Sequence, residues 1–369
     1  MINRLNRTKS ILIVSFALSF TGLFSQEQSP KIKSAETGKF LEHFKNAVVK
    51  KDSSLKNLIN DDEPLEKVAS GFGFTEGVTW IDTPGESYLL FSDMAANVIY
   101  KRDKNGVVTT YMKNTGYPFQ DIWRVGMRFN NSKPKEDPAY EEFNLIGSDG
   151  MTLDKQGRLL IATWTGRSIE RIEKDGKKTI LADRYQGKRL GGPNDLVVDK
   201  KGGIYFSDTF GSMINPDNNP ENELKEQGIY YLKENGEVIR VIDDIPSTNG
   251  VAISPDGKDL YANGSSDRFI RRYEIQSDGT VKNGKLLIDL SKEKGLGITD
   301  GMKVDSKGYI WTTGPGGIWI LSPEGKVLGS IAVPEPCTNL VFGDDDKSTL
   351  YISTPGSIFR IKTKARGLQ

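Results

Sequence analysis

Five carboxylate or amide side chains, Glu76, Asp149, Asn194, Asn249 and Asp300, each stand directly ahead of a short apolar run in nearly the same local sequence. The runs read T-E-G-V-T-W, S-D-G-M-T-L-D-K-Q-G-R-L-L-I, P-N-D-L-V-V-D-K-K-G-G-I-Y-F, T-N-G-V-A-I-S-P-D-G-K-D-L-Y and T-D-G-M-K-V-D-S-K-G-Y-I-W; a sixth, T-N-L-V-F-G-D-D-D, is marked by Asn339. Brought to a common centre, Glu76, Asn194, Asn249 and Asp300 offer two carboxylates and two amide carbonyls. That all-oxygen set matches Ca²⁺ or another hard divalent ion. Uncharged amide ligands leave net positive charge on the ion, which suits it to act as a Lewis acid. The competing explanation is conformational, because Asn-Gly and Asp-Gly are strong turn formers. It accounts for Asp175, Asp256 and Asp278, each before a glycine in an ordinary hairpin turn. It accounts poorly for Glu76, and for Asn194, whose neighbour is Asp195.

Such a centre needs elements that converge on it. Strand and turn signals repeating every 40 to 50 residues or so mark a propeller or solenoid. The third unit contains L-V-V-D, G-I-Y-F-S-D, G-I-Y-Y-L and E-V-I-R-V-I, four strands in sequence, which is the number in a propeller blade. The expected fold is therefore all-β: a six-bladed β-propeller of four-stranded blades around a central channel. In a ring of blades the residues entering the innermost strands meet at one end of that channel. The spacing between the first two marked residues is long, and residues 114–144 form an insertion rich in Pro, Lys, Glu and aromatics. Its Trp123 and Arg124 lie either over the channel mouth or on the outer surface. Loops of this length inside a compact fold are usually functional or disordered.

Composition narrows the chemistry. The 369 residues carry 50 Lys and Arg against 49 Asp and Glu, so no basic stripe recruits nucleic acid. The one histidine, His43, falls in F-L-E-H-F-K-N-A-V-V, a short helical pattern within about Gly38 to Lys51 and outside the repeats. A Ser-His-Asp triad and a His-ligated zinc are thereby disfavoured. Cys337 is the one cysteine, which rules out an internal disulfide and reads as a small buried apolar residue. At the start, Arg4, Arg7 and Lys9 precede an apolar run from Ile11 to Phe24 and then Ser25. This is the layout of a secretory signal peptide, shorter than a comfortable membrane span. The organisation expected is residues 1–25 as signal peptide, 26–65 as an N-terminal extension and 66–369 as the propeller, exported to the periplasm or beyond, with no stable membrane insertion after cleavage.

G-F-G-F-T-E-G-V-T-W, L-L-F-S-D, L-G-G-P-N-D-L-V-V-D, I-Y-F-S-D, N-G-V-A-I-S-P-D-G-K-D-L-Y and D-G-M-K-V-D-S-K-G-Y-I-W resemble the gluconolactonase, regucalcin and luciferin-regenerating-enzyme family from about Val68 to Arg360. The resemblance implies a six-bladed propeller with one divalent cation, often Ca²⁺ (Zn²⁺, Mn²⁺ and Mg²⁺ are alternatives), and hydrolysis of sugar lactones or related cyclic esters. It places metal ligands at Glu76, Asn194, Asn249 and Asp300, and gives Asp300 the further role of acid and base. Asp208, Arg124 and Trp164, in that order, are the candidate substrate contacts, and Asp208 reads equally as the cap of a turn. Asp149 stands where relatives commonly carry Asn, and is either a pocket wall or an added charge near the metal. A-T-W-T-G-R, Ala162 to Arg167, replaces a C-E-H-G-N-R stretch, so the pocket around the metal core is altered. Other expectations compatible with the sequence are hydrolysis of a different sugar-derived substrate, and a non-catalytic metal-bearing propeller that binds a sugar or a partner protein.

Overall fold

The computed structural model describes residues 33–34, 40–83, 85–130, 135–138, 140–215, 218–225 and 227–368. The chain separates into two units, Met1–Lys31 and Ile32–Gln369, and the described residues belong to the second. The proposed signal peptide lies outside them.

Six antiparallel sheets form a six-bladed β-propeller. The first four blades take their four strands consecutively, innermost first. Blade 1 is Thr75–Thr83, Glu86–Asp93, Val98–Arg102 and Val108–Lys113, and blade 2 is Met151–Leu153, Leu159–Ala162, Ile169–Ile172 and Lys178–Ala182. Blade 3 is Pro193–Val198, Ile204–Asp208, Gly228–Leu232 and Val238–Ile242; blade 4 is Thr248–Ile253, Asp259–Gly264, Phe269–Ile275 and Val281–Asp289. Blade 5 has Met302–Val304, Ile310–Gly314, Gly317–Leu321 and Val327–Ala332, and blade 6 has Asn339–Gly343, Thr349–Thr354 and Ser357–Lys362. In blades 2, 3 and 5 an Asp closes the first hairpin, and in blade 4 Ser254 Oγ does so. Asp154, Asp199 and Asp305 each use Oδ1 to accept two backbone N–H groups across the turn, the local bonding that favours Asp there.

Residues ahead of the repeats complete the ring. Leu65–Ser70 pairs with Ser357–Lys362 as the fourth strand of blade 6, and Glu66 meets Arg360 Nε at 2.7 Å across the join. Leu65, Val68 and Ala69 of this strand are fully buried, and a buried Leu or Val side chain is worth about 1.5–3 kcal/mol. The helix expected around Gly38 to Lys51 is absent from the described part of that segment. Glu42–Phe44 pairs with Leu65–Ser70 instead, and Val48–Lys50 adds a fifth strand to blade 5. Two open sheet edges outcompeted a short helix, because each pairing satisfies backbone groups that would otherwise face water. Beyond it, Asp52 caps a 3₁₀ turn, Ser53–Asn57, and Leu55, Leu58 and Ile59 are buried in the cluster shared by blades 5 and 6.

Aromatic pairs lie between neighbouring blades. Trp80 stacks on Tyr351 at 5.6 Å where blade 1 meets blade 6, and Trp311 meets Phe342 edge-on at 5.3 Å where blade 5 meets blade 6. Such pairs add about 0.5–1.5 kcal/mol beyond the area they bury.

Candidate active site

The residues that open the innermost strands do not sit in hairpin turns. The pairing of first and second strands slips by one residue just after Glu76 in blade 1, between Pro193 and Leu196 in blade 3 and between Thr248 and Val251 in blade 4. In blade 2, Asp149 donates its N–H to Ala162 while Gly150 accepts from the same residue. An extra residue on one strand is a β-bulge, which bends the strand and re-aims a side chain. The N–H groups freed there are taken by the second strand. Ser207 Oγ accepts from Asp195, Asn263 Oδ1 from Gly250 and Thr313 Oγ1 from Asp300.

Two of the glycines that follow are required by crowding from the next blade. A Cβ on Gly77, whose φ is +53°, would lie 2.1 Å from the Asp149 carbonyl oxygen; one on Gly250 would lie 2.1 Å from that of Asp300. Blades 3 and 6 carry Asp195 and Asn339 at this second position. The sixth marked position is therefore Thr338 rather than Asn339, and blade 6 has no register slip there.

Glu76, Asp149, Asn194, Asn249 and Asp300 all line one cavity of about 1400 Å³ at the channel mouth. Glu76, Asp149 and Asp300 are buried, at 3%, 3% and 9% exposure. Asn194 Nδ2 donates to Asp149 Oδ2 at 2.6 Å, and the Asn249 side chain hydrogen-bonds Asp300. Glu76 Oε2 accepts from the Gly77 N–H at 2.9 Å and from Asn339 Nδ2 at 3.0 Å. Burial pushes the Glu76 carboxyl up to about 7, against the pull of those two bonds. Burial, then the charges of Glu76 and Asp195, hold Asp300 well above the usual carboxylate range; the same causes, with Asp300 added, raise Asp149.

A cation would relieve this repulsion, and the donor chemistry fits one: carboxylate and amide oxygens only, the carboxylates buried and the amides half-buried, with Lys303 acting on Glu76 and Asp195 through space rather than by contact. Among the described residues no three His, Cys, Asp or Glu side chains form a metal-holding group by themselves. Any ion here would draw on the amides of Asn194 and Asn249 as well.

The expected substrate contacts divide. Trp164 lines the cavity, buried, with Nε1 donating to Thr209 Oγ1 at 3.2 Å. Asp208 does not reach it. Its two carboxylate oxygens accept the N–H groups of Gly191 and Gly192 at 2.8 Å each, so it fixes the loop that leads into blade 3. Asp93 does the same for Gly73 and Phe74 before blade 1, and the shared S-D ending of L-L-F-S-D and I-Y-F-S-D is a structural device. Arg124 also stays outside the cavity, with a side chain 60% exposed that faces Asp121 and Glu221; its neighbour Trp123 lines the cavity instead. His43 lies on an exposed strand, and Cys337 lines the cavity with its thiol pushed up by burial. Sequence reasoning missed Asn339 as the support of Glu76, and Asp195 as a further buried carboxylate. Aligning the units on their apolar residues (Val78, Met151, Leu196, Val251, Met302, Leu340) would have exposed both.

A family model described as "SMP-30/Gluconolactonase/LRE-like region" matches residues 74–356. A gluconolactonase of Zymomonas mobilis is 30% identical over 330 residues, 87% of each chain. The pentonolactonase XacC of Haloferax volcanii is 27% identical over 219 residues, 56% of this chain and 67% of that one. Among solved structures, a gluconolactonase from Xanthomonas campestris superposes with a TM-score of 0.69 at 23% identity, covering 89% of this chain and 100% of that one; at that identity the likeness bears on the fold.

Proposed function

This chain belongs to the SMP-30/gluconolactonase/LRE-like family, and on that premise we propose that it hydrolyses sugar lactones or related cyclic esters at the channel mouth. The observation that carries the reading is the convergence of Glu76, Asp149, Asn194, Asn249 and Asp300, from five blades, on one cavity. Glu76, Asn194, Asn249 and Asp300 would hold a divalent cation, with Ca²⁺ the first candidate, whose chemistry is to polarise the carbonyl of a bound ester.

Asp300 is the proposed base. A cation held beside it would favour the ionised form of this buried carboxyl, the form that can accept a proton from water. Asp300 takes a proton from the attacking water as the water oxygen bonds to the lactone carbonyl carbon. The ring C–O bond then breaks, and the same proton passes to the departing ring oxygen, giving the open hydroxy acid. Asn249 orients Asp300, Asn194 orients Asp149, and Asn339 with the Gly77 N–H holds Glu76 in place. Trp164 forms part of the wall that positions the ester.

The test is acid release from glucono-δ-lactone by wild type and Asp300→Asn. General-base catalysis contributes about 10²–10⁴-fold, so the variant is expected to lose at least a hundredfold in kcat. An Asp300→Asn protein that binds the ion and keeps its full rate would remove Asp300 from this role. Export through the leader of residues 1–25 is part of the proposal, and the N-terminal residue of the mature protein checks it.

A further inference from the structure

The cavity is much larger than a six-carbon lactone needs, and its two sides differ in chemistry. Ligand pockets usually span about 300–1,000 Å³, against about 1400 Å³ here. Over blades 1 and 2 the wall is apolar. Phe74 meets Phe129 edge-on at 5.2 Å, and both pack with Phe143, Met94, Leu145 and Trp164 in one cluster. Phe129 and Phe143 belong to the paired strands Arg128–Asn130 and Glu142–Asn144 of the insertion. Val125 of the insertion bridges Met213 in the loop after the second strand of blade 3, and the Gly126 N–H donates to the Ser212 carbonyl. The insertion is thus fastened across the mouth. Trp123 lines the cavity there at 70% exposure.

Of the polar groups on this side, the Arg128 side chain, 74% exposed, faces Glu142 at 3.6 Å, and others are already engaged. Trp164 Nε1 is used by Thr209, and Asn144 Nδ2 donates to the carbonyls of Ile122 and Val125. A hydroxylated ring placed against this wall would lose its water with few groups to replace it, a cost of about 1–3 kcal/mol per unsatisfied group. Toward blades 3 and 4 the situation reverses. There Gln227, Ser247, Asn249, Ser265 and Ser266 border the same cavity.

We infer that the substrate is an amphipathic lactone: a cyclic ester whose polar edge faces Gln227 and Ser265, and whose ring bears an alkyl or aryl substituent that fills the wall of Phe74, Phe129, Phe143 and Trp164. The inference rests on the lactonase reading and narrows its substrate class from free sugar lactones to apolar-substituted ones.

The experiment measures kcat/KM for δ-valerolactone and its δ-alkyl homologues from methyl to hexyl, beside glucono-δ-lactone, with ion-loaded full-length protein. Each buried methylene is worth about 0.8 kcal/mol, so kcat/KM should rise about fourfold per carbon and the hexyl compound should exceed glucono-δ-lactone. Phe129→Ala and Trp123→Ala should each cut the hexyl-to-methyl ratio about tenfold, and Trp123, being exposed, can be removed without disturbing the core. A flat or falling series beside good turnover of glucono-δ-lactone overturns the inference and leaves the lactonase reading standing. If no lactone is turned over, that reading fails, and the apolar wall is tested by calorimetric binding of the matching δ-alkyl-valerolactams. Affinity rising with chain length then supports the amphipathic site, and affinity independent of chain length overturns it.

Discussion

At the scale of single residues, the site separates groups that would touch an ion or substrate from groups that hold them. Asn339 donates to Glu76 from the opposite end of the sequence. Losing a residue that orients a metal ligand typically costs 10–100-fold in metal affinity. Asn339→Ala is therefore expected to raise the Ca²⁺ Kd by about that factor, read by calorimetry, with the fold retained. Asp208 is a contrasting case. Burial pushes its carboxyl up to about 6 from an ordinary value of 3.8. Because the folded state favours the protonated form, the stability Asp208 contributes is complete below about pH 4 and is lost as pH rises through 6. Asp208→Asn should abolish that part of the pH dependence of Tm. It also leaves Gly191 or Gly192 without a carboxylate acceptor, at a cost of about 1–3 kcal/mol. Equal Tm-against-pH slopes for the two proteins between pH 4 and 6 would contradict the assignment.

At the scale of elements, the innermost strands determine what the marked residues can do. Glu76 stands just before a bulge of its innermost strand and Asn194 and Asn249 within one, where all three line the cavity, and Gly250 is needed because Asp300 of the next blade lies against it. Gly250→Ala is expected to destabilise by about 1–3 kcal/mol, as overpacking does, and to weaken ion binding by shifting Asp300; unchanged urea midpoint and affinity would contradict this. The repeat, the four-strand blade and the convergence of five oxygen-bearing residues were legible because period and side-chain type are local properties. The bulges were not, since a one-residue slip is a relation between two strands. For the same reason the local sequence marks Asn339 as the sixth residue when Thr338 is, and leaves Asp208 open between substrate contact and turn cap, which its bonds to backbone groups of a preceding loop decide for the cap. The segment before the repeats reads as helix because the edges it joins exist only through distant pairing: Val48–Lys50 joins a strand about 280 positions away, and Glu42–Phe44 joins Leu65–Ser70, itself held by Ser357–Lys362.

At the scale of the molecule, closure and charge govern behaviour. Leu65–Ser70 holds blade 6 shut, and its removal would expose the edge of Ser357–Lys362. A chain beginning after Ser70 is expected to self-associate through that edge, visible as higher-mass species in light scattering; a monomer with unchanged Tm would contradict the role of the join. The ring also concentrates Glu76, Asp149, Asp195 and Asp300 in a buried channel mouth, where their charges oppose one another. The central claim is that one divalent cation occupies this cup and that lactone hydrolysis depends on it. The most direct measurement is a Ca²⁺ titration of chelator-stripped protein, following heat of binding and the rate of glucono-δ-lactone hydrolysis in parallel. The expected result is one ion per chain, with rate and binding saturating at the same concentration and both failing in Glu76→Gln. Full hydrolysis in the stripped protein, or stoichiometric binding with no change in rate, would contradict it.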